Sequence, residues 1–527
     1  MISAAVQGEV MLSLKEKDKG IIQKMLAAGC CARCVLRFCC ISVQAPYKQP
    51  CQDTLGQLQA FVNNTEGKST ESAVTEENNN SQDAAGSEEP TSKRAKVEVA
   101  EEADVCVLCL GVLQHLCDVT QAIKIADAVK KEDYELDTLV LSISLPAQLC
   151  VREHSCWLHV KEQVRAKCGL LAKDDVIQVK EAFKWVMQDL LGKELGGVAV
   201  VTKSALEVSV GFSHSETDTD CHFLAATCPD CFKPTKNKQS VFTRMAVVKA
   251  LEKIADGKFL KHSPCPPSRP RSSCTPQDIQ CVHMSVFVAG RYNKFCRSLP
   301  QTPWLIDGER RMESSVEELI AAPVLAAFRA DGFNFSSSGR EDVDVRTLGN
   351  GRPFAVELLN PHRIRLSPDH MKKVQQSINE SSDKIRVRDL QIVSRDAMSR
   401  MKEGEEEKTK SYRALVWTHK SIQPDDIIFM DDIKDLSLDQ KTPLRVLHRR
   451  TLAVRQRVIH SMSARFLDAH HFHLSLKTQA GTYIKEFVHG DFGRTKPNLC
   501  QLLKTDTDIL ELDVESVDVD WPPALPD

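Results

Sequence analysis

Ser336–Phe354 reads SSSGREDVDVRTLGNGRPF, and the placement of its acids decides how the rest of the chain is read. Gly339-Arg340-Glu341-Asp342 puts an arginine and two adjacent carboxylates on a tight turn, and Val343-Asp344-Val345-Arg346 follows at once. Gly349, Gly351 and Pro353 leave no room for a continuous helix, since glycine frees the backbone and proline removes a donor. The acids are therefore expected on an ordered loop feeding a strand over Phe354–Leu359. Loops held on a sheet are where chemistry tends to sit.

Upstream, Ser314–Ala330 carries Val316, Leu319, Ile320, Val324, Leu325 and Phe328 at helical spacing, so a helix delivers the chain into the Asp342 loop. Downstream, Lys384–Val393 and Ser411–Thr418 alternate like strands with one buried face, and Tyr412 follows a charged turn over Glu403–Lys410. A lone strand tyrosine is usually core. His470–Thr478 reads as another strand, Gly481-Thr482-Tyr483-Ile484-Lys485-Glu486-Phe487 turns from it into a helix, and Asp508–Val517 is a last strand. Lys441–Arg457, KTPLRVLHRRTLAVRQR, carries Lys441, Arg445, Arg449, Arg450, Arg455 and Arg457 with no acid. A stripe of one sign beside an acidic loop suits phosphates, the alternative being a basic strand edge that discourages aggregation.

The N-terminal half is organised by cysteines. The chain has 20 of them and no recognisable secretion signal, which implies a reducing compartment where paired thiols hold metal or do redox work. A helix over Lys15–Ala28 runs into Cys31-Ala32-Arg33-Cys34, and after a second helix over Gln52–Val62 the hydrophobic pattern is lost. Residues 63–104 are expected to be a disordered acidic linker. The pattern returns at Cys106-Val107-Leu108-Cys109, expected to continue as a helix through Leu116. Two such pairs supply four thiolates, a tetrahedral soft-ligand set that suits one structural zinc with no open position. Cys228-Pro229-Asp230-Cys231 is a third pair, either a rival ligand source or a tight turn. Helices over Trp157–Lys167, Asp174–Leu191 and Val241–Ile254 and strands over Leu206–Phe212 and Met284–Ala289 make an α+β module. Lys233, Lys236, Lys238 and Arg244 are candidate phosphate contacts or a solvated helix start.

A chain of 527 residues, 42% apolar and 27% charged, is long enough for about three domains. No apolar run approaches the roughly 20 residues that span a bilayer, and residues 1–20 show no presequence pattern. No membrane partner is expected, and the chain reads as intracellular. Its net charge of −3 hides an acidic linker, so it does not argue against RNA. Lys93-Arg94-Ala95-Lys96 reads either as an import signal, placing the protein in nucleus and cytoplasm, or as an ordinary charge run.

Gly-Arg-Glu-Asp at 339–342 resembles the catalytic loop of RNA pseudouridine synthases, and the longer run is similar to their archaeal and eukaryotic Pus-ten branch, which modifies uridines of the tRNA TΨC arm. The resemblance is dense from Cys228 onward. It implies a catalytic domain with a central mixed sheet over 296–527 and a zinc-containing THUMP-type accessory region, split between 1–62 and 105–295. It further implies an isomerase for arm positions 54 and 55, with no organic cofactor; separately, a monomer is expected. Asp342 matches the catalytic aspartate. Lys485 in GTYIKEF stands where an arginine more commonly pairs with it, and Tyr412 resembles the tyrosine that stacks on the target uracil, a role Tyr483 could share. Arg340 and Arg352 are expected to orient the loop or grip phosphates, as Arg445, Arg449 and Arg450 do. Asp344 is a rival nucleophile, read more simply as an ion-pair partner of Arg346.

A second reading is an RNA-binding factor acting on tRNA or other hairpins independently of catalysis. A zinc deaminase is excluded, because the thiol pairs fill the metal and no His-x-Glu precedes a Pro-Cys-x-x-Cys.

Overall fold

In a computed structural model that describes residues 12–64, 104–165, 175–233, 241–402 and 408–526, the chain divides into two units. One comprises Met1–Glu132 with Leu136–Cys281, the other Asp133–Glu135 with Val282–Asp527. Most of the expected linker, its Lys93–Lys96 cluster, and Lys236 and Lys238 lie outside the described residues.

In the first unit, α1 (Lys19–Ala27) buries Ile21, Ile22 and Met25, and α2 (Ala32–Phe38) starts directly after Cys31. α3 spans Cys51–Asn63. Residues 107–116 form turns and not the expected helix, because Leu110 takes a φ of 50° and Gly111 one of 82°, breaking the helical path. α4 (Val119–Glu132) buries Ala122, Ile125, Ala126 and Val129, the i, i+3, i+4, i+7 stripe of an amphipathic helix. β1 (Thr138–Ser144) pairs in parallel with β2 (Leu206–Ser213), with α5 (Gln148–Arg165) and α6 (Val179–Glu194) between them in the chain. α7 (Arg244–Lys253) is capped by Thr243, whose Oγ1 accepts from the Ala246 N–H at 3.2 Å.

The second unit is built on a ten-stranded mixed sheet. Its elements are β3 (Val286–Lys294), α8 (Val316–Phe328), β4 (Gly332–Ser337), β5 (Val345–Leu359), α9 (Pro368–Ser381), β6 (Ile385–Val393), β7 (Thr409–Thr418), β8 (Lys434–Lys441), β9 (Val454–Asp468), β10 (His471–Gln479), α10 (Ile484–His489), β11 (Thr495–Lys496) and β12 (Thr507–Val517). The spatial order is β6-β3-β5-β12-β7-β10-β9-β8-β11, with β4 also on β5. Among the described residues, only β5 and β12 run parallel within it. Side chains alternate between two cores as the pleat requires. Val288, Phe354 and Val356 pack with Ile320, Phe328, Met371 and Ile378 of α8 and α9. Their neighbours Ala289 and Ala355 face the other way, toward Phe472, Leu474 and Phe487.

Two expectations about extent are corrected. β3 pairs with both β5 and β6, so residues 286–294 form a central strand of the second unit and not the end of the accessory region. β5 starts at Val345, nine residues before the expected Phe354, and takes in the glycine-rich run as a bulge between Thr347 and Arg352. Gly349 is required there: its φ is 55°, and a Cβ would lie 1.9 Å from the Glu515 carbonyl oxygen. Among the described residues, no helix is long and apolar enough to cross a membrane.

Candidate active site

The two adjacent acids of the Gly339–Asp342 turn have opposite environments. Glu341 is buried: its carboxylate accepts from the Tyr292 hydroxyl at 2.7 and 2.9 Å and pairs with Arg352 Nε at 2.7 Å. Arg352 Nη1 also donates to the Ser338 carbonyl at 2.7 Å. Burial pushes the Tyr292 hydroxyl well above its ordinary range, with Glu341 adding to the effect, so it remains a donor. Gln301 Nε2 ties the Tyr292 hydroxyl (2.8 Å) to the Gly339 carbonyl (3.1 Å). Lys294, fully buried, donates to the carbonyls of Leu299, Asp342 and Val343 at 2.7, 3.1 and 2.8 Å. Burial lowers its pKa, partly countered by Glu341. Gly339 sits at φ 89°, where a Cβ would come within 2.5 Å of Lys410 Nζ and 2.9 Å of Arg352 Nη1.

With its neighbour pinned inward, Asp342 faces a cleft of about 510 Å³ lined also by Tyr412, Tyr483, Lys485 and Arg445. Arg340, Arg449 and Arg450 line it as well. These residues come from four separate segments: the turn before β5, strand β7, the 442–453 loop between β8 and β9, and the start of α10. Asp342 Oδ2 lies 2.7 Å from Arg445 Nη1 and 3.6 Å from Lys485 Nζ, and Oδ1 is 3.9 Å from Arg449 Nη2. Tyr412 is half-buried, and burial raises its phenol above the ordinary range even though Arg352 pulls it down. It is therefore a neutral hydroxyl near pH 7. Tyr483 is fixed by its backbone, which exchanges two hydrogen bonds of 2.9 Å with the Gln440 amide.

The structure reassigns several partners. Lys485 makes its short contacts with Asp344, at 2.8 and 2.7 Å to the two carboxylate oxygens, and is farther from Asp342. Asp344 does not pair with Arg346, which donates instead to both oxygens of Asp513 at 2.8 and 2.6 Å. Asp344 lies on the turn just before β5 and Arg346 within the strand, so period-two alternation does not bring the two side chains together and they meet different neighbours. Burial pushes the Asp344 carboxyl up, but Lys485 outweighs it and holds it below the usual range. Arg445 is not a free phosphate ligand. Its Nε lies 2.6 Å from buried Glu486 while Nη1 reaches Asp342. Arg352, 2% exposed, is turned inward to Glu341 and the Ser338 carbonyl. The basic run begins at the end of β8 with Lys441 and ends in β9 with Arg455 and Arg457; between them residues 442–453 form an irregular loop with one short turn over Leu444–Val446, on which Arg449 and Arg450 are exposed.

Sequence reasoning missed Tyr292, Lys294, Gln301 and Glu486. No local pattern marks their roles, and each draws notice only once its partner is known.

In the first unit, Cys31, Cys34, Cys106 and Cys109 are all buried, with their sulfur atoms within 4.8 Å of one another, and this group could hold a metal ion. The Cys31 N–H points to Cys106 Sγ at 3.2 Å, an orientation that suits a thiolate acceptor. Arg37 Nη1, 3.7 Å from Cys34 Sγ, is a nearby cation. Four thiolates of this spacing fit a tetrahedral soft metal. Cys228 and Cys231 are in another place, where Cys228 packs with the Phe232–Phe259 cluster and turns its sulfur to the Ala250 carbonyl. They do not join the group.

Residues 106–281 match the family described as "Eukaryotic Pus10, N-terminal", and residues 287–518 the one described as "Pus10, C-terminal". Relatives named tRNA pseudouridine synthase Pus10 from Mus musculus and Homo sapiens are 57% and 56% identical over 98% of this chain and 100% of theirs. A Drosophila melanogaster relative, a putative tRNA pseudouridine synthase Pus10, is 31% identical over 96% of this chain and 98% of its own. Among solved structures, a Cbf5-Nop10-Gar1 complex chain aligns over 43% of this chain and 48% of its own, at 17% identity and a TM-score of 0.24. The α+β fold, the carboxylate cleft and these relatives define the class as a pseudouridine synthase, an isomerase of uridine in RNA. Within that class, the chain belongs to the Pus10 family of tRNA pseudouridine synthases.

Proposed function

We propose that the chain isomerises uridines of the TΨC arm of tRNA, expected at positions 54 and 55, with Asp342 as the catalytic carboxylate. One observation carries this reading: Asp342, Tyr412 and Lys485, from three distant segments, line one cleft whose rim bears Arg449 and Arg450. Isomerisation breaks the C1′–N1 bond, turns the detached uracil and joins C1′ to C5, while the C5 proton is lost and N1 gains one. No electron leaves or enters, so the reaction needs no organic cofactor.

Each residue has a part in that sequence. Asp342 acts on the nucleotide, as nucleophile or as base, and Arg445 and Lys485 hold it oriented. Tyr412, kept neutral, offers a ring face to the uracil and a hydroxyl that can relay the C5 proton. The target uridine must leave its stack at a cost of a few kcal/mol, which phosphate contacts by Arg449, Arg450 and Arg340 offset. Such contacts set register, not base identity. In the first unit the four cysteines hold one zinc as a structural clip, in a region we read as THUMP-type and RNA-binding. We further place the protein in nucleus and cytoplasm, on the Lys93–Lys96 cluster, and treat it as a monomer that can also meet other hairpin RNAs.

A tRNA transcript made with 5-tritiated uridine tests the reading, since every turnover releases one C5 hydrogen. Tritium release matched to loss of uridine at 54 or 55 is the expected result. Tight binding of the transcript without release would favour the scaffold reading.

A further inference from the structure

Four consecutive residues after α10 adopt left-handed backbone: Gly490 (φ 81°), Asp491 (45°), Phe492 (54°) and Gly493 (77°). Such a conformation costs free energy for any residue with a Cβ, and persists only where the surroundings hold it. Asp491 is held. It is buried, its Oδ2 accepts from the Leu444 N–H at 3.3 Å and lies 3.5 Å from Arg494 Nε, and its own N–H donates to His489 Nδ1 at 3.1 Å. Phe492 returns nothing to the fold. It is 94% exposed, more than any other large apolar side chain among the described residues. A strained, well-anchored loop that presents a bare aromatic ring calls for a ligand outside the fold.

The neighbourhood identifies that ligand's chemistry. Arg494 Nη2 donates to the Thr442 carbonyl at 2.6 Å and the Arg494 carbonyl accepts from the Lys441 N–H at 3.0 Å, while β11 pairs with Asp439 and Gln440 of β8. Phe492 therefore sits on a turn tied, through Asp491 and Arg494, to the acid-free loop that bears Arg449 and Arg450 and reaches Asp342 through Arg445. Exposed aromatic faces beside a cationic strip are the means by which unpaired nucleobases are bound. It lies outside the lining of the catalytic cleft.

We propose that Phe492 is a base-stacking residue that takes one unpaired nucleobase of the RNA substrate outside the catalytic cleft. This rests on the reading that the chain modifies RNA.

The test is equilibrium binding of an unmodified tRNA transcript to the full chain, as wild type, Phe492→Ala, Phe492→Leu and Phe492→Trp, over a salt series. The alanine and leucine variants should bind on the order of tenfold more weakly, and tryptophan within about twofold of wild type. The slope of log affinity against log salt should not change, since no charge is removed. Thermal midpoints should stay put, because the ring is not packed. Wild-type affinity in Phe492→Leu, a Phe492→Trp as weak as Phe492→Ala, or a loss that follows a lowered thermal midpoint would each overturn the proposal. Wild-type protein that binds the transcript without isomerising it would sink the functional reading alone, leaving the stacking result to stand or fall by itself.

Discussion

Glu341 and Asp342 are neighbours with the same chemistry and different work, and the difference comes from what lies behind each. Glu341 and Arg352 form a fully buried ion pair. Removing one member strands the other charge, at a cost of about 3–5 kcal/mol. Glu341→Gln should lower the denaturant midpoint accordingly, whereas Asp342→Asn, at a 30% exposed side chain, should leave it nearly unchanged. A second residue-scale prediction concerns acid. Burial pushes the Asp513 carboxyl up, but the two bonds from Arg346 and the charge of Arg297 outweigh it, so its pKa is depressed on folding. A depressed carboxylate contributes stability that is complete above its unfolded value, about 3.9, and is lost as pH falls through the folded one. Wild-type stability should therefore drop below roughly pH 4, and Asp513→Asn should flatten that limb in urea titrations at successive pH values. Family resemblance, not residue type, singled out Asp342, Tyr412 and Lys485 in the sequence, and the fold brings the three to one cleft. The sequence could not carry Arg346 to Asp513, 167 positions away, nor Lys485 to Asp344, because the rival partner Arg346 stood only two residues off.

At the scale of elements, the Gly339 turn and the 442–453 loop divide positioning from attraction. Gly339→Ala places a Cβ against Lys410 and Arg352 at a left-handed φ, so the turn must shift. Misplacement of about 1 Å can cost up to roughly 100-fold in rate. A fall in kcat of at least about tenfold, with tRNA affinity held, is the expected outcome in single-turnover assays. Replacing Arg449 and Arg450 by alanine should do the reverse. Affinity should fall, and the slope of log affinity against log salt should shrink by about 1 to 2, as lost phosphate contacts require. Element types were legible wherever apolar spacing was regular: the helix before the loop and the strands at 385–393, 409–418, 471–479 and 507–517 stand close to their expected places. The bulged start of β5 was not, because glycines read as a break in local sequence are tolerated in a strand whose partners supply the register. Strand β8 was hidden by its charge, since Lys434, Asp435, Asp439 and Lys441 fill most of its exposed positions, and β9 because its start falls inside the basic run.

Over the whole molecule, the two units hold separate kinds of order, one around a compact group of thiols and the other around a sheet with two cores. Cys106→Ser should reduce zinc measured by mass spectrometry and lower the first unfolding transition. Zinc retained in Cys106→Ser and lost in Cys228→Ser would show that the ligand set is wrong. The two-pair motif was readable from spacing alone, because metal ligation is written in residue type. The unit boundary was not, since only pairing of β3 with β5 and β6 shows that residues 286–294 belong to the second unit.

The most direct test of the account is carbodiimide and primer-extension mapping of an unmodified tRNA transcript incubated with wild type or Asp342→Asn, with binding measured in parallel. Wild type should produce stops at the arm uridines, and Asp342→Asn should bind the transcript yet lose them by roughly 10³-fold or more. Stops that persist in Asp342→Asn would contradict the assignment of Asp342 as the catalytic carboxylate.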